Sequence, residues 1–301
     1  MKFIVPNYYK KFKCIASACR HSCCVGWEID IDADTYDYYG TVGGELGEKL
    51  KENIAVDDGQ AHFILDGNER CPFLNKNGLC DIITKCGEDS LCDICADHPR
   101  FRNFFTDRTE IGLGLCCEAA AELIIKSDEP FELEMLDDDG FDDEADEEEK
   151  EILRLRNLAL ETAGDSTCGF AERVKRICQL FDIKTDDTST QVWAERLAAL
   201  ERLDPQWDSC IEFIGRQNEF ESSLEDEKAA ENLLCYFIYR HLSAACDKDD
   251  MKSRAAFAIL SCRIIFTLSH YMSIEEAARM YSGEIEYSDE NLNAVLNLLY
   301  N

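Results

Sequence analysis

The chain is poor in positive charge. Of its 301 residues, 31 are lysine or arginine and 62 are aspartate or glutamate, so the formal net charge at pH 7 is −31. A nucleic-acid-binding protein needs basic surface to displace the counterions of phosphates, and anionic lipid head groups attract basic segments. The composition therefore predicts no nucleic acid and no membrane among the partners.

Long hydrophobic runs are also missing. The N-terminus lacks the apolar stretch of a signal peptide, and the most apolar window, residues 255–268, contains Ser261 and Arg263. That window is too short to cross a bilayer. The sequence therefore predicts a cytoplasmic protein, in which thiols stay reduced and structural disulfides are rare.

Cysteine, in contrast, is abundant, with 17 copies. Many thiols in a reducing compartment indicate metal, cluster or redox chemistry before a disulfide framework. Eleven of the 17 are clustered at or before residue 117: Cys14, Cys19, Cys23, Cys24, Cys71, Cys80, Cys86, Cys92, Cys95, Cys116 and Cys117. The other six are scattered singly, and we expect them to pack between helices: Cys168, Cys178, Cys210, Cys235, Cys246 and Cys262.

An acidic run separates the two groups of cysteines. Eleven of the fifteen residues at 137–151 are aspartate or glutamate, which favours an extended, solvated segment that enters the acidic first turn of a helix. The sequence therefore predicts a cysteine-rich metal or iron–sulfur module at residues 1–125, an acidic linker at 126–151 and a helical domain at 152–301.

Hydrophobic periodicity differs between the two halves. Residues 27–32 and 111–115 alternate between apolar and polar or glycine positions, as half-buried strands do, whereas residues 234–242 and 260–268 repeat apolar side chains every three or four positions, as buried helices do. Ser273 and Ser288 are predicted helix N-caps. We expect a mainly α protein, in which a small irregular cysteine-rich N-terminal module with short β-strands precedes an all-helical bundle of about five to seven helices.

Clustered thiolates are soft ligands, which select zinc, copper(I) or iron–sulfur clusters. Cys19 and Cys23 have the spacing of a zinc knuckle, but the adjacent Cys23–Cys24 pair fits a single tetrahedral ion poorly. Iron–sulfur clusters accept ligands from distant segments, such as those on either side of the 46-residue gap between Cys24 and Cys71. The spacing favours an iron–sulfur cluster and leaves zinc as the alternative.

Five motifs together resemble the flagellin lysine-N-methylases over about residues 3–125. In order they are Pro6-x-Tyr8-Tyr9-x-x-Phe12-x-Cys14, Cys19-x₃-Cys23-Cys24-x-x-Trp27, Cys71-Pro72-Phe73-Leu74 through Gly78-Leu79-Cys80-x-Ile82, Cys95-x₃-Pro99-Arg100, and Cys117 followed by a helix. The same cysteine pattern also resembles a broader group of zinc- or iron-chelating cysteine-cluster proteins.

The resemblance implies methyl transfer from S-adenosylmethionine to lysine side chains of flagellin, with a 4Fe–4S cluster taking part. It also implies a set of metal ligands: Cys14, Cys19, Cys23, Cys24, Cys71, Cys80, Cys95 and Cys117. Cys92 and Cys116 stand where the family pattern has serine, and Cys86 is additional. No glycine-rich loop follows an apolar strand, so the usual S-adenosylmethionine fold is not expected. A non-catalytic zinc- or iron-binding protein is the alternative function, and the sequence assigns no catalytic base.

Overall fold

The computed structural model describes residues 1–140, 143–184 and 188–300. The chain divides into two compact units, which we call the thiol unit (Lys13–Arg100) and the helical unit (Met1–Phe12 with Phe101–Asn301). These bounds differ from the predicted limits at 125 and 151, because the segment that carries Cys116 and Cys117 packs with the helices.

Seven strands and thirteen α-helices make up the regular structure of the described residues. The strands are β1 (Lys2–Pro6), β2 (Asp30–Ile31), β3 (Ile54–Asp57), β4 (Gln60–Phe63), β5 (Arg100–Phe104), β6 (Arg108–Leu113) and β7 (Leu133–Asp138). The first helices are α1 (Ala33–Thr41), α2 (Gly44–Glu52), α3 (Asp81–Cys86), α4 (Asp93–Asp97) and α5 (Glu118–Ile125). The later ones are α6 (Glu147–Ala163), α7 (Phe170–Leu180), α8 (Thr190–Ala198), α9 (Trp207–Gly215), α10 (Glu227–Phe237), α11 (Lys248–Leu268), α12 (Ile274–Tyr281) and α13 (Asp289–Leu299).

Short helical segments of other types complete this list. The 3₁₀ turns are Tyr9–Lys11, Ala16–Ala18 and Glu88–Ser90, and the π-helical segments are Ile238–Leu242 and Ser282–Glu286. Each π-helical segment directly continues an α-helix, α10 in one case and α12 in the other. The described structure is mainly α, as predicted.

Short elements dominate the thiol unit. Its antiparallel sheet has the order β2-β4-β3, and a two-residue turn joins β3 to β4. Asp58 and Gly59 in that turn both have positive φ, of 50° and 89°, which is the geometry of a tight hairpin. The unit's apolar core is small and contains aromatic side chains such as Phe63 and Phe73.

The helical unit contains a four-stranded sheet with the order β5-β6-β1-β7, in which β1 is parallel to β6 and antiparallel to β7. The predicted strand at 111–115 overlaps β6. The predicted acidic linker is partly a strand, because Asp137 and Asp138 end β7 and pair with Phe3 and Lys2. The run then enters α6 behind the N-cap Asp146, as predicted, although residues 141 and 142 lie outside the described ranges.

The helices from α6 to α13 bury one extensive apolar core, to which α10 and α11 contribute most of their length. Ser273 caps α12 by accepting from the Glu276 amide, and Ser288 caps α13, so both predicted caps are confirmed. Eight α-helices are described here, against the expected five to seven, since several are only 8 to 11 residues long. None of the described helices combines the length and the apolar composition that spanning a bilayer requires.

Candidate functional site

The thiol unit contains seven of the eight cysteines that the resemblance implies as ligands, and Cys117 belongs to the helical unit. The seven are Cys14, Cys19, Cys23, Cys24, Cys71, Cys80 and Cys95. Each unit is therefore described in turn.

Five cysteines belong to the core of the thiol unit or pack against it. Cys71 and Cys92 are buried there, and Cys24, Cys80 and Cys95 pack against the same core. We call these five residues the thiol cluster. The 46 residues between Cys24 and Cys71 in sequence do not keep them apart in space.

Backbone pairing brings three of the five thiols together. The Cys71 amide donates to the Cys24 carbonyl over 2.8 Å, which joins the first cysteine motif to the second. Leu74 pairs with Cys80 as an isolated antiparallel bridge, which turns Cys80 back towards Cys71. Gly78 has a φ of 73° within this turn, a conformation that favours glycine. The spacing between Cys71 and Cys80 thus follows from a tight turn.

The electrostatic environment of the cluster is uneven. The hydrogen bond with the Cys23 thiol, followed by that with Ser22 and the charge of Arg70, lowers the pKa of Cys24 to about 7. Burial, reinforced by the negative charge of Cys24, raises the pKa of Cys71 to about 12. The Cys24 thiol therefore ionises near neutral pH, whereas the Cys71 thiol is protonated there and must release its proton before it can bind a metal.

Cys92 is the member of the cluster that the sequence-based ligand set misses. Its side chain is buried, and its thiol and that of Cys95 are hydrogen-bonded, which lowers the pKa of Cys92. The Cys95 amide also donates to the Cys92 carbonyl over 3.0 Å, at the start of α4. The Cys92-x-x-Cys95 spacing is a common ligand spacing, and this signal could have identified Cys92.

The first cysteine motif is more exposed. Cys14 and Cys23 are exposed and Cys19 is partly buried. Cys14 Sγ accepts from the Ala16 amide over 3.4 Å, and the Cys19 thiol donates to the His21 carbonyl over 3.2 Å, so these two contact their own loop. Neither belongs to the core that holds the thiol cluster.

The donor set agrees in kind with a thiophilic metal or an iron–sulfur cluster, because five cysteine side chains belong to one core or pack against it. Their positions do not form a ligand shell. Over residues 1–140, 143–184 and 188–300, no three histidine, cysteine, aspartate or glutamate side chains converge closely enough to hold a metal ion.

In the helical unit, Cys116 and Cys117 end a tight turn that leads into α5. The Cys117 amide donates to the Gly114 carbonyl over 3.4 Å, and the Cys117 carbonyl accepts from the Ala121 amide in the first turn of the helix. Cys116 is buried and Cys117 is partly buried. The two neighbouring thiols therefore have different surroundings.

A buried polar network lies beside this turn. The Glu286 carboxylate accepts from the Tyr236 hydroxyl over 3.1 Å, is 2.6 Å from His241 Nε2 and pairs with Arg240 Nε at 3.3 Å. The Arg240 guanidinium lies 4.8 Å from the ring centres of both Phe101 and Tyr287. The π-helical segments supply Arg240, His241 and Glu286. Periodicity does not reveal such segments, and no sequence motif indicated this network.

An open cavity of about 650 Å³ lies elsewhere in the helical unit, at the ends of α5, α10, α11 and α12. Its lining combines apolar side chains, such as Leu224 and Ile274, with four carboxylates: Glu221, Glu225, Asp226 and Glu275. Lys126 pairs with Glu275 at 3.3 Å, and His270 lies 3.3 Å from Glu221. The lining is therefore net acidic, with an aliphatic component.

The six scattered cysteines divide by burial. Cys210, Cys235 and Cys262 are fully buried in the helical core, as packing residues are, whereas Cys246 is exposed. Cys168 and Cys178 are partly buried. The packing prediction is confirmed for the three buried thiols.

Comparison with known proteins yields a partial likeness. The chain is 24% identical over 134 residues to proteins named lysine-N-methylase from Salmonella typhimurium and Salmonella choleraesuis. It is similar to lysine-N-methylases. The matched region is 42% of this chain and 33% of each of those proteins, so the chain spans about a third of their length.

A third relative is the flagellar biosynthetic protein FliU from Salmonella muenchen, which is 24% identical over 134 residues, covering 42% of this chain and 79% of that protein. No protein-family model matches the chain. No solved structure matches it either. These likenesses support a relationship with the flagellin lysine-N-methylases over part of the chain.

Proposed function

We propose that this protein is an S-adenosylmethionine-dependent protein-lysine N-methyltransferase that acts on flagellin. The observation that carries the proposal is the likeness to proteins named lysine-N-methylase, to which a flagellar biosynthetic protein adds the substrate. The methyl donor and the flagellin substrate are those that the family resemblance implies, so the activity, the donor and the substrate are parts of one proposal.

The proposal includes an iron–sulfur cluster held by cysteine thiolates. Four of the implied ligands belong to the thiol cluster: Cys24, Cys71, Cys80 and Cys95. The remaining implied ligands are Cys14, Cys19, Cys23 and Cys117, and zinc is the alternative metal. When bound, such a cluster would supply Lewis-acid chemistry for binding S-adenosylmethionine.

The protein itself must accommodate a lysine. An ordinary lysine ammonium has a pKa of about 10.4, so releasing its proton at pH 7 costs about 4–5 kcal/mol. Apolar surroundings that disfavour the ammonium lower this cost. The net charge of −31 favours the approach of lysine-bearing segments through long-range attraction. The acidic cavity beside Leu224 and Ile274 offers carboxylates for an ammonium and apolar surface for its aliphatic stem.

The first experiment is anaerobic purification with analysis of iron, acid-labile sulfide and zinc, followed by an assay with S-adenosylmethionine and unmodified flagellin. We expect iron and sulfide, and an increase of the flagellin mass in methyl-sized steps on lysine. Raised salt should increase the KM for flagellin more than it lowers kcat, because it weakens capture. Full activity of the metal-free protein would contradict a role for the cluster.

The second candidate function is a non-catalytic zinc- or iron-binding protein. The chemistry of the thiol cluster favours it independently of any relative, because thiolate sulfur is a donor that zinc and iron prefer. Metal-loaded protein that transfers no methyl group to its cognate flagellin would support this alternative. Stoichiometric zinc without sulfide would further exclude the iron–sulfur cluster.

A further inference from the structure

Two cysteines of the thiol unit lie at the ends of a single backbone turn. Cys92 is the N-cap residue of α4, with a φ of −66° and a ψ of 156°, and Cys95 follows three residues later. The Cys95 amide donates to the Cys92 carbonyl over 3.0 Å, and a turn closed in this way keeps its first and fourth Cα atoms within about 7 Å. A disulfide can join Cα atoms that are up to about 7 Å apart. We call residues 92–95 the dithiol turn.

The two positions are ones whose side chains lie close together at the start of a helix. An N-cap side chain reaches towards the backbone of the third helical residue, and the side chain at that third position reaches back towards the N-cap. Here both positions are cysteine. Cys92 belongs to the apolar core of the thiol unit, and Cys95 packs against the same core. The dithiol turn therefore directs its two thiols to one side.

Helix α1 holds the backbone before and after Cys92. Asp32, the N-cap of α1, accepts from the Asp93 amide over 2.9 Å. The Ser90 carbonyl accepts from the hydroxyl of Tyr39, a buried residue of α1, over 2.9 Å. Groups that the fold already holds near each other react with little further loss of entropy. The thiols of the dithiol turn are thus placed for a reaction with each other.

We propose that Cys92 and Cys95 form a reversible disulfide when a low-molecular-weight disulfide oxidises them, with Cys95 reacting first. The dithiol turn is then a redox-sensitive modification site of the thiol unit. Two cysteines separated by two residues are also the arrangement of the disulfide oxidoreductases. The inference goes beyond the proposed function and does not depend on it, because it requires two thiols and no bound group.

The order of reaction follows from exposure. Cys92 has no surface accessible to solvent, whereas Cys95 is only partly buried. The Cys95 thiolate attacks one sulfur of the oxidant, whose S–S bond breaks to release one thiolate and leave a mixed disulfide on Cys95. The Cys92 thiolate then attacks Cys95 Sγ, which forms the Cys92–Cys95 bond and releases the second thiolate. The two released thiolates take up the two protons and two electrons that the pair loses.

The first test equilibrates the full chain anaerobically with reduced and oxidised glutathione, with and without a chelator, and locates each disulfide by mass mapping. We expect Cys92–Cys95 to form at the most reducing glutathione ratio once the chelator has removed any competing metal. Concentrated urea abolishes the turn, so it should lower the equilibrium constant of this disulfide about tenfold, which corresponds to about 30 mV in reduction potential.

Cys19 and Cys23 are the internal control, because they are similarly close in sequence and Cys23 is exposed. The Cys19 thiol donates to the His21 carbonyl over 3.2 Å, so the fold directs it to its own loop. The equilibrium constant of a Cys19–Cys23 disulfide should therefore not fall when urea is added.

Two serine variants test the order of reaction by intact mass spectrometry. Cys92→Ser removes the second thiol and leaves a residue that is favourable at an N-cap, so Cys95 should accumulate as a mixed disulfide with glutathione. Cys95→Ser leaves only the buried Cys92 in the turn. Because buried thiols are inert, we expect Cys92 to react with glutathione disulfide about tenfold more slowly than Cys95 does in the other variant.

Several outcomes would overturn the inference. One is a Cys24–Cys71 disulfide that forms before Cys92–Cys95, since a backbone hydrogen bond of 2.8 Å also brings those two residues together. Others are the absence of a Cys92–Cys95 disulfide both with and without chelator, and an equilibrium constant that urea does not change. Equal rates for the two serine variants would overturn the order of reaction. A failure to methylate flagellin would contradict the proposed function alone, because the disulfide measurements use no substrate.

Discussion

The two units of this protein differ in the size of their apolar cores. The thiol unit has short strands and short helices around a small core, whose members include the thiols of Cys71 and Cys92. The helical unit has one extensive core, in which Trp193 and Trp207 are fully buried. A core of the first kind supplies little free energy of folding, since stabilisation scales with buried apolar area. We therefore expect the proposed ligation to contribute part of the folding free energy of the thiol unit, whereas the helical unit folds through apolar packing.

The largest expected effect is therefore removal of the proposed metal. Ligand binding to thiolates contributes directly to folding free energy when the unliganded site is weakly structured. After treatment with a chelator, we expect a protease to cleave within residues 13–100 much faster than before, while α6 to α13 stay protected. Mass spectrometry of the fragments over time measures both rates.

Two single substitutions serve as controls for this experiment. Cys71→Ala removes a thiol of the cluster and should reproduce the effect of the chelator, with lower metal content and lower solubility. Cys235→Ala removes a fully buried thiol of the helical core and should retain full metal. If the protease cleaved the thiol unit equally slowly with and without metal, the stability of the thiol unit would not depend on metal, and the proposed difference between the two units would be wrong.

The next largest effect concerns a buried ion pair that joins the sheet of the helical unit to its helices. Arg156 of α6 and Glu110 of β6 form two hydrogen bonds of 2.7 Å, and both side chains are almost inaccessible to solvent. Arg156→Met leaves the carboxylate buried and unpaired, which should lower the free energy of unfolding by about 3–5 kcal/mol. Chemical denaturation followed by tryptophan fluorescence measures this, with Trp27→Phe as the background so that only Trp193 and Trp207 report.

The double variant Glu110→Leu with Arg156→Met is the control, because it removes both charges together. We expect it to be more stable than Arg156→Met alone, since no uncompensated charge stays in the core. If Arg156→Met were as stable as the wild type, apolar packing alone would determine the stability of the helical unit. The difference between the helical unit and the thiol unit would then be larger than proposed.

The sequence predicted local features better than contacts between distant segments. The caps at Ser273 and Ser288 depend only on neighbouring amides, so a short motif is sufficient to identify them. Strand β7 was missed because its sequence is rich in acidic residues, which are rare in strands, and it forms through pairing with β1. Tertiary contact overrides propensity at this strand.

In the candidate site, too, the sequence predicted local features better than contacts between distant segments. Clustering along the sequence identified the cysteine-rich region, but it did not indicate that Cys92 joins the thiol cluster or that Cys14 and Cys19 contact their own loop. Clustering along the sequence also did not indicate the Cys24–Cys71 hydrogen bond, which joins residues far apart in the chain. The network around Glu286 was equally inaccessible, because π-helical segments do not follow the helical period on which the prediction rests.

The smallest predicted effect is the dependence of the helical unit's stability on pH. Burial lowers the pKa of His241 below its ordinary value, although the adjacent Glu286 carboxylate opposes this, and the charges of Arg240 and Arg254 reinforce it. The unfolded state therefore takes up a proton near pH 6.5 that the folded state does not. The free energy of unfolding should consequently decrease as the pH falls from 7 to 5, by up to about 1.4 kcal/mol per pH unit for this one group.

His241→Gln isolates this contribution, since glutamine does not titrate and can still donate to Glu286. In the Trp27→Phe background, the free energy of unfolding should change less between pH 7 and pH 5 in the His241→Gln variant than in the protein with His241. The pH dependence that the variant retains comes from other titrating groups. Glu286 itself has a lowered pKa despite its burial, so its protonation affects stability only at still lower pH. Equal slopes for both proteins would mean that His241 is as easily protonated in the folded core as in the unfolded chain. Water would then reach the buried charges around His241. The core of the helical unit would not be dry at this network, and at His241 it would not differ in that respect from the thiol unit.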